Sequence, residues 1–141
     1  MMHSKKGFTL VEIMIVVAII VLLAAIAIPN LLRARLSANE ATAIAALKTL
    51  SAAAETYFGG QAPGAYPTSL AAMSNATPPY IDSVLGTGNK SGYTFTWSGG
   101  NNSYSVTAVP ITPNVTGVRS FFMDTSGVVR VGTSANGTPL S

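Results

Sequence analysis

Residues 5–30 read KKGFTLVEIMIVVAIIVLLAAIAIPN, and this stretch decides how the rest of the chain can be arranged. From Phe8 to Ile28 it is apolar except at Thr9 and Glu12. That run reaches the roughly 20 residues a helix needs to cross a bilayer. Its Leu, Ile, Val and Phe residues each favour insertion by about 0.3 to 0.6 kcal/mol, against roughly 2.5 to 3.5 kcal/mol opposing it for a central acid. Insertion wins, the more so because Glu12 lies near one end. Charge does not fix the orientation, since Lys5 and Lys6 precede the run while Arg33 and Arg35 follow it.

Pro29 lacks the N–H that a helix interior uses, so a kink is expected there. Beyond it, Leu36, Ala43, Leu47, Leu50, Ala54 and Tyr57 recur at helical spacings and predict one apolar stripe on a resumed helix that Gly59 and Gly60 terminate. The two halves together predict about 50 helical residues, or about 75 Å. A small domain is narrower than that, so the first half is expected to protrude.

From Gln61 to Gly92 the abundance of Gly, Pro, Asn and Ser reads as a structured loop without regular strands. After Gly92 the period becomes two. Tyr93, Phe95 and Trp97 alternate with polar residues, and Tyr104, Val106 and Ala108 do so again after a Ser-Gly-Gly-Asn-Asn turn. A second hairpin is expected from SFFM at 120–123 and VVRV at 128–131, joined through Asp124 to Gly127, with Pro110 and Pro113 separating the two hairpins. The fold class predicted is α+β: a long N-terminal helix with a protruding hydrophobic half, its second half packed on an antiparallel sheet of about four strands. The aromatics of the helix end and the strands are expected in that helix-to-sheet core.

Composition narrows the function. With 141 residues there is room for one small domain beside the long helix. Charged residues make up 9% of the chain, against about 25% in soluble proteins. The net charge of +3 is scattered, with no basic cluster to follow a phosphate backbone, so nucleic acid is not expected as a specific ligand. There is no cysteine to supply disulfides or thiolate ligands. His3 stands alone, without a ligand set, and Asp82 and Asp124 suit local structural roles better than a shared site. No catalytic residue, cofactor or metal is predicted. Asn-x-Ser/Thr triplets begin at Asn75, Asn89, Asn101, Asn114 and Asn136, a number that chance explains in a chain so rich in Asn and Thr.

Lys5 to Glu12, KKGFTLVE, join a basic leader and a Gly to an apolar run whose fifth residue is acidic. Here the chain resembles the type IV pilin and pseudopilin family, whose precursors share a Lys-Gly-Phe-Thr-Leu-(Ile/Val)-Glu signature. The match is close over residues 5 to 30, including Pro29, and architectural beyond. The resemblance implies that a membrane-embedded prepilin peptidase cuts between Gly7 and Phe8 and methylates the Phe8 amine. It implies that Glu12 pairs with the Phe8 amine of a neighbouring subunit during assembly. It further implies a single-pass precursor in the inner membrane, in contact with lipid and with the pilus assembly machinery there. That precursor becomes a homo-oligomeric helical filament outside the cell, of the kind used in adhesion, motility or secretion. The division expected is 1–7 leader, 8–29 transmembrane and filament-core helix, and 30–141 α+β head.

Three other readings stay open. A secretory signal could be cut after Ala25-Ile26-Ala27, although its apolar stretch would exceed the usual length and contain an acid. A type II secretion pseudopilin would share the N-terminus; the acidic calcium-binding loop and Asp-Pro-Trp-Gly stretch of major pseudopilins do not occur in this sequence. A single-span anchor could carry a binding or enzymatic head. For Glu12, the alternative to pairing is a position at headgroup depth.

Overall fold

The apolar run and the stripe after it form one helix. In the computed structural model, which describes residues 6–60 and 64–140, helix α1 extends from Leu10 to Gly60 with Pro29 inside it. By internal contacts the chain divides into two units, Met1–Ala34 and Arg35–Ser141.

The first unit holds the start of α1, and its large apolar side chains are exposed from Phe8 through Leu32. This helix is long and apolar enough to cross a membrane, and none of its most apolar stretch is buried. His3 and Lys5 lie outside the described residues.

The second unit is α+β. After α1 come two short helices, α2 (Leu70–Ser74) and α3 (Ser83–Gly86), then six strands: β1 (Asn89–Lys90), β2 (Tyr93–Gly99), β3 (Tyr104–Pro110), β4 (Phe121–Asp124), β5 (Arg130–Val131) and β6 (Thr138–Pro139). All pair antiparallel in chain order. The four strands expected from alternation are β2 to β5, and the two-residue β1 and β6 flank them. The segment before Gly92, expected as loop, contains α2, α3 and β1. These helices are set by their caps: the Ser69 hydroxyl accepts from the Ala72 amide and an Asp82 carboxylate oxygen from the Leu85 amide. The Lys90 ammonium holds the other Asp82 oxygen at 2.9 Å. Asp124 likewise accepts from the Ser126 amide in the β4–β5 turn, the structural role expected of it.

The stripe on α1 becomes the helix side of the core. Ala43, Leu47, Leu50 and Ala54 are buried as spaced, and Ala46 and Ala53 widen the face. These small residues let large strand residues approach: Tyr93, Phe95, Val106, Phe121 and Met123 fill the facing layer with Ala108. At one end Tyr104 stacks on Trp97 with ring centroids 4.9 Å apart, and Tyr66 meets Tyr104 edge-on. The Tyr104 and Ser51 hydroxyls share a hydrogen bond of 2.8 Å, tying that end of the sheet to α1.

At the other end α1 is held by Asn39 and Glu40. The Asn39 amide donates to the Thr116 carbonyl, while Glu40 accepts from the Arg119 amide at 3.1 Å and from the Arg119 guanidinium at 3.0 and 3.1 Å. Burial opposes the Glu40 charge, but the Arg119 amide and guanidinium with the Val118 amide outweigh it and hold the carboxyl below its ordinary range. The stability from this clamp is therefore present above the ordinary glutamate range and is lost as pH falls through the lowered value.

Tyr93 gives the opposite sign. Fully buried, and with Glu40 nearby, its phenol is pushed up to about 12. Below pH about 10 both folded and unfolded chains keep the proton; between 10 and 12 only the unfolded chain loses it, so folding stability falls by roughly 2 to 3 kcal/mol. Because Trp97 is the one tryptophan, its fluorescence can follow urea unfolding. At neutral pH Tyr93→Phe is expected to be less stable by about 1 kcal/mol, for the lost bond to the Arg119 carbonyl. By pH 12 the variant should be the more stable of the two. A wild-type disadvantage that never develops above pH 10 would refute the assignment to Tyr93.

Candidate functional site

Phe8 is exposed at 85%, and nothing crowds Gly7 within 4 Å of where a Cβ would stand. The Gly7–Phe8 junction precedes α1 in non-helical backbone, the form in which a peptidase can reach both faces of a peptide bond.

Immediately after it, Thr9 caps the helix. The Thr9 hydroxyl accepts from the Glu12 amide at 3.2 Å and a Glu12 carboxylate oxygen accepts from the Thr9 amide at 3.0 Å. This reciprocal capping box satisfies two of the amides that a helix start leaves without partners. An anion there also faces the positive end of the helix dipole. The sequence carried the signal, Thr-x-x-Glu before an apolar run, but Thr9 read there only as an interruption. The structure thus gives Glu12 a role inside its own chain, fixed within a residue of Phe8. Pro29 lies within α1, and the helical assignment runs through it without a break.

Among the described residues no three His, Cys, Asp or Glu side chains gather to hold a metal. Among the described residues, one surface depression is lined by Ser98, Gly99, Gly100, Ser103, Tyr104 and Ser105 and another by Ile44, Lys48, Gly127, Val128, Val129 and Leu140; neither of these joins a nucleophile to a base.

Residues 2–28 match the family model described as the prokaryotic N-terminal methylation motif. The chain is 56% identical over 46 residues to the type IV wide pilus major component of Thermus thermophilus, covering 33% of this chain and 35% of that one. It is 49% identical over 54 residues to the type IV major pilin protein of Myxococcus xanthus, covering 38% of this chain and 24% of the relative. It is 47% identical over 55 residues to a fimbrial protein of Pseudomonas aeruginosa, covering 39% and 36%. The matches thus span about a third or less of these relatives' lengths. No solved structure matches the chain significantly. The methylation motif and these relatives make the N-terminal third of the chain similar to type IV pilins, and a long apolar helix followed by an antiparallel sheet accompanies that likeness.

Proposed function

We propose that the chain is the structural subunit of an extracellular filament of the type IV pilus kind. The precursor sits in the inner membrane through residues 8–29. A prepilin peptidase cuts between Gly7 and Phe8 and methylates the new amine, and the assembly machinery of that membrane adds the subunit to a homo-oligomer. The observation that carries this reading is an apolar helix face left exposed along its whole first stretch, starting at the methylation motif. Exposed apolar surface of that extent is stable only in lipid or among copies of itself. The contact is head-to-tail rather than two-fold, so it propagates as a helix.

Mass spectrometry of protein sheared from cells tests the processing, with electron microscopy of the same fraction for filaments. The expected N-terminus is methylated Phe8, in fibres. Gly7→Leu is expected to abolish the cut, because a bulky side chain keeps the peptidase from the backbone. Surface protein starting at Ile28, or a monomer released without fibres, would refute the proposal.

A further inference from the structure

Between β3 and β4, residues 111–118 form a loop whose apolar side chains face outward. Ile111, Val115 and Val118 are 54%, 62% and 58% exposed, with Pro113 exposed beside them. The loop pairs most of its amides within the protein. Its amides at Ile111, Thr112, Asn114, Val115 and Thr116 donate to Gly92, to Thr116 Oγ1 and to carbonyls within the loop, and those of Val118 and Arg119 donate to Glu40. A surface that offers apolar side chains while pairing most of its amides suits an environment short of water.

We propose that this loop is a second, shallow membrane contact, seating Ile111, Val115 and Val118 in the headgroup layer of the bilayer while the precursor waits there. The inference rests on the membrane-inserted reading above. The loop is fastened to α1 at Asn39 and Glu40, four and five residues after Arg35, about 6 to 8 Å along a helix. The apolar run ends at Ile28, exposed Leu31 and Leu32 come after Pro29 and Asn30, and Arg33 and Arg35 follow, both exposed. Arginines at the end of an apolar span sit at the headgroups and favour anionic lipid. The loop carries no acid, and Glu40 beneath it is paired with Arg119. A second copy fits less well: among the described residues, the other large exposed apolar side chains of the head are Val84 and Val109, and Val109 adjoins the loop.

The chain has no cysteine, so Val115→Cys gives a single labelling site at an exposed position. The full chain, carrying an environment-sensitive fluorophore there, is reconstituted in vesicles of phosphatidylethanolamine and phosphatidylglycerol with nitroxide-labelled lipid as quencher. Ile20→Cys reports the inserted helix. Thr125→Cys reports the β4–β5 turn, at the strand ends opposite the loop. Trp97 emission confirms the fold of each variant. A headgroup-level nitroxide should quench position 115 about threefold more than position 125, as for an apolar surface lodged 5 to 10 Å deep. Equal quenching at 115 and 125, with position 20 quenched by a deep nitroxide, would overturn the loop contact and leave the membrane reading standing. No quenching at position 20 would overturn both. Protection of position 115 from aqueous iodide that grows with protein per vesicle, without quenching by lipid, would overturn the inference in favour of a second copy.

Discussion

Cells whose only copy of the protein carries Glu12→Val are expected to insert and process it normally and to display about tenfold fewer filaments, or none. Val makes the segment more apolar, so insertion improves if anything, and the proposed cut lies at the Gly7 junction, away from position 12. Assembly is expected to differ, because on the proposed function each incoming subunit would bring a charged Phe8 amine into an apolar bundle. A neighbouring carboxylate offsets a desolvation penalty of several kcal/mol per ion. It also fixes the axial register, which aliphatic contacts cannot do because they are non-directional.

The capping box adds a rival explanation that a second substitution separates. In Glu12→Gln the side-chain carbonyl can still accept from the Thr9 amide, so the helix start survives while the charge is gone. Loss of the cap alone is worth about 1 kcal/mol at a helix end that lipid and neighbours also support. The expected pattern is therefore that Val and Gln variants fail alike, whereas Thr9→Val, which weakens the cap and spares the charge, still forms filaments. Electron microscopy of sheared surfaces, after mass spectrometry has confirmed the Phe8 terminus, reads the outcome. Normal filaments from Glu12→Gln would mean that Glu12 acts as a cap.

The difference between what could and could not be read from the sequence follows from range. The apolar run, the stripe from Ala43 to Tyr57 and the alternation in β2 and β3 are local periodicities, visible because a helix or strand repeats its environment every few residues. Helices α2 and α3 are shorter than two turns and leave no period, and their caps, Ser69 and Asp82, have no apolar repeat behind them to mark them as helix starts. In VVRV, the strand reduces to Arg130–Val131, because Thr125 to Val129 are spent on a wider turn. The clamp between Glu40 and Arg119 joins residues 79 apart, and nothing in either neighbourhood specifies the other. The candidate site was legible at Gly7, Phe8 and Glu12 through a motif, while the hydrogen bonds of Thr9 needed coordinates.

Gly117→Ala is expected to lower the stability of the head by about 3 kcal/mol, the upper end of what overpacking usually does. Gly117 is buried and shows no left-handed backbone, so the requirement there is for space. A Cβ at that position would overlap the Tyr93 hydroxyl and come within 2.5 and 2.7 Å of two ring carbons. The ring has nowhere to go. Tyr93 is fully buried against Phe121, and its hydroxyl donates to the Arg119 carbonyl at 2.8 Å. The backbone side is as constrained, since the Gly117 carbonyl accepts from the Asn114 amide. Relief must come from moving residues 117–119, which withdraws the amides and guanidinium that hold Glu40. Against the roughly 5 to 15 kcal/mol by which native domains are generally stable, such a loss is large enough to deplete folded subunit without touching the assembly residues. Gly100, where a Cβ would meet nothing within 4 Å, is the control: Gly100→Ala should stay within about 0.5 kcal/mol of wild type. Urea unfolding followed at Trp97 supplies both values. Combining Gly117→Ala with Tyr93→Phe removes the nearest overlapping atom, so the double variant should lose less than the two single losses added together. Additivity within about 0.5 kcal/mol would show that the two residues do not compete for the same space.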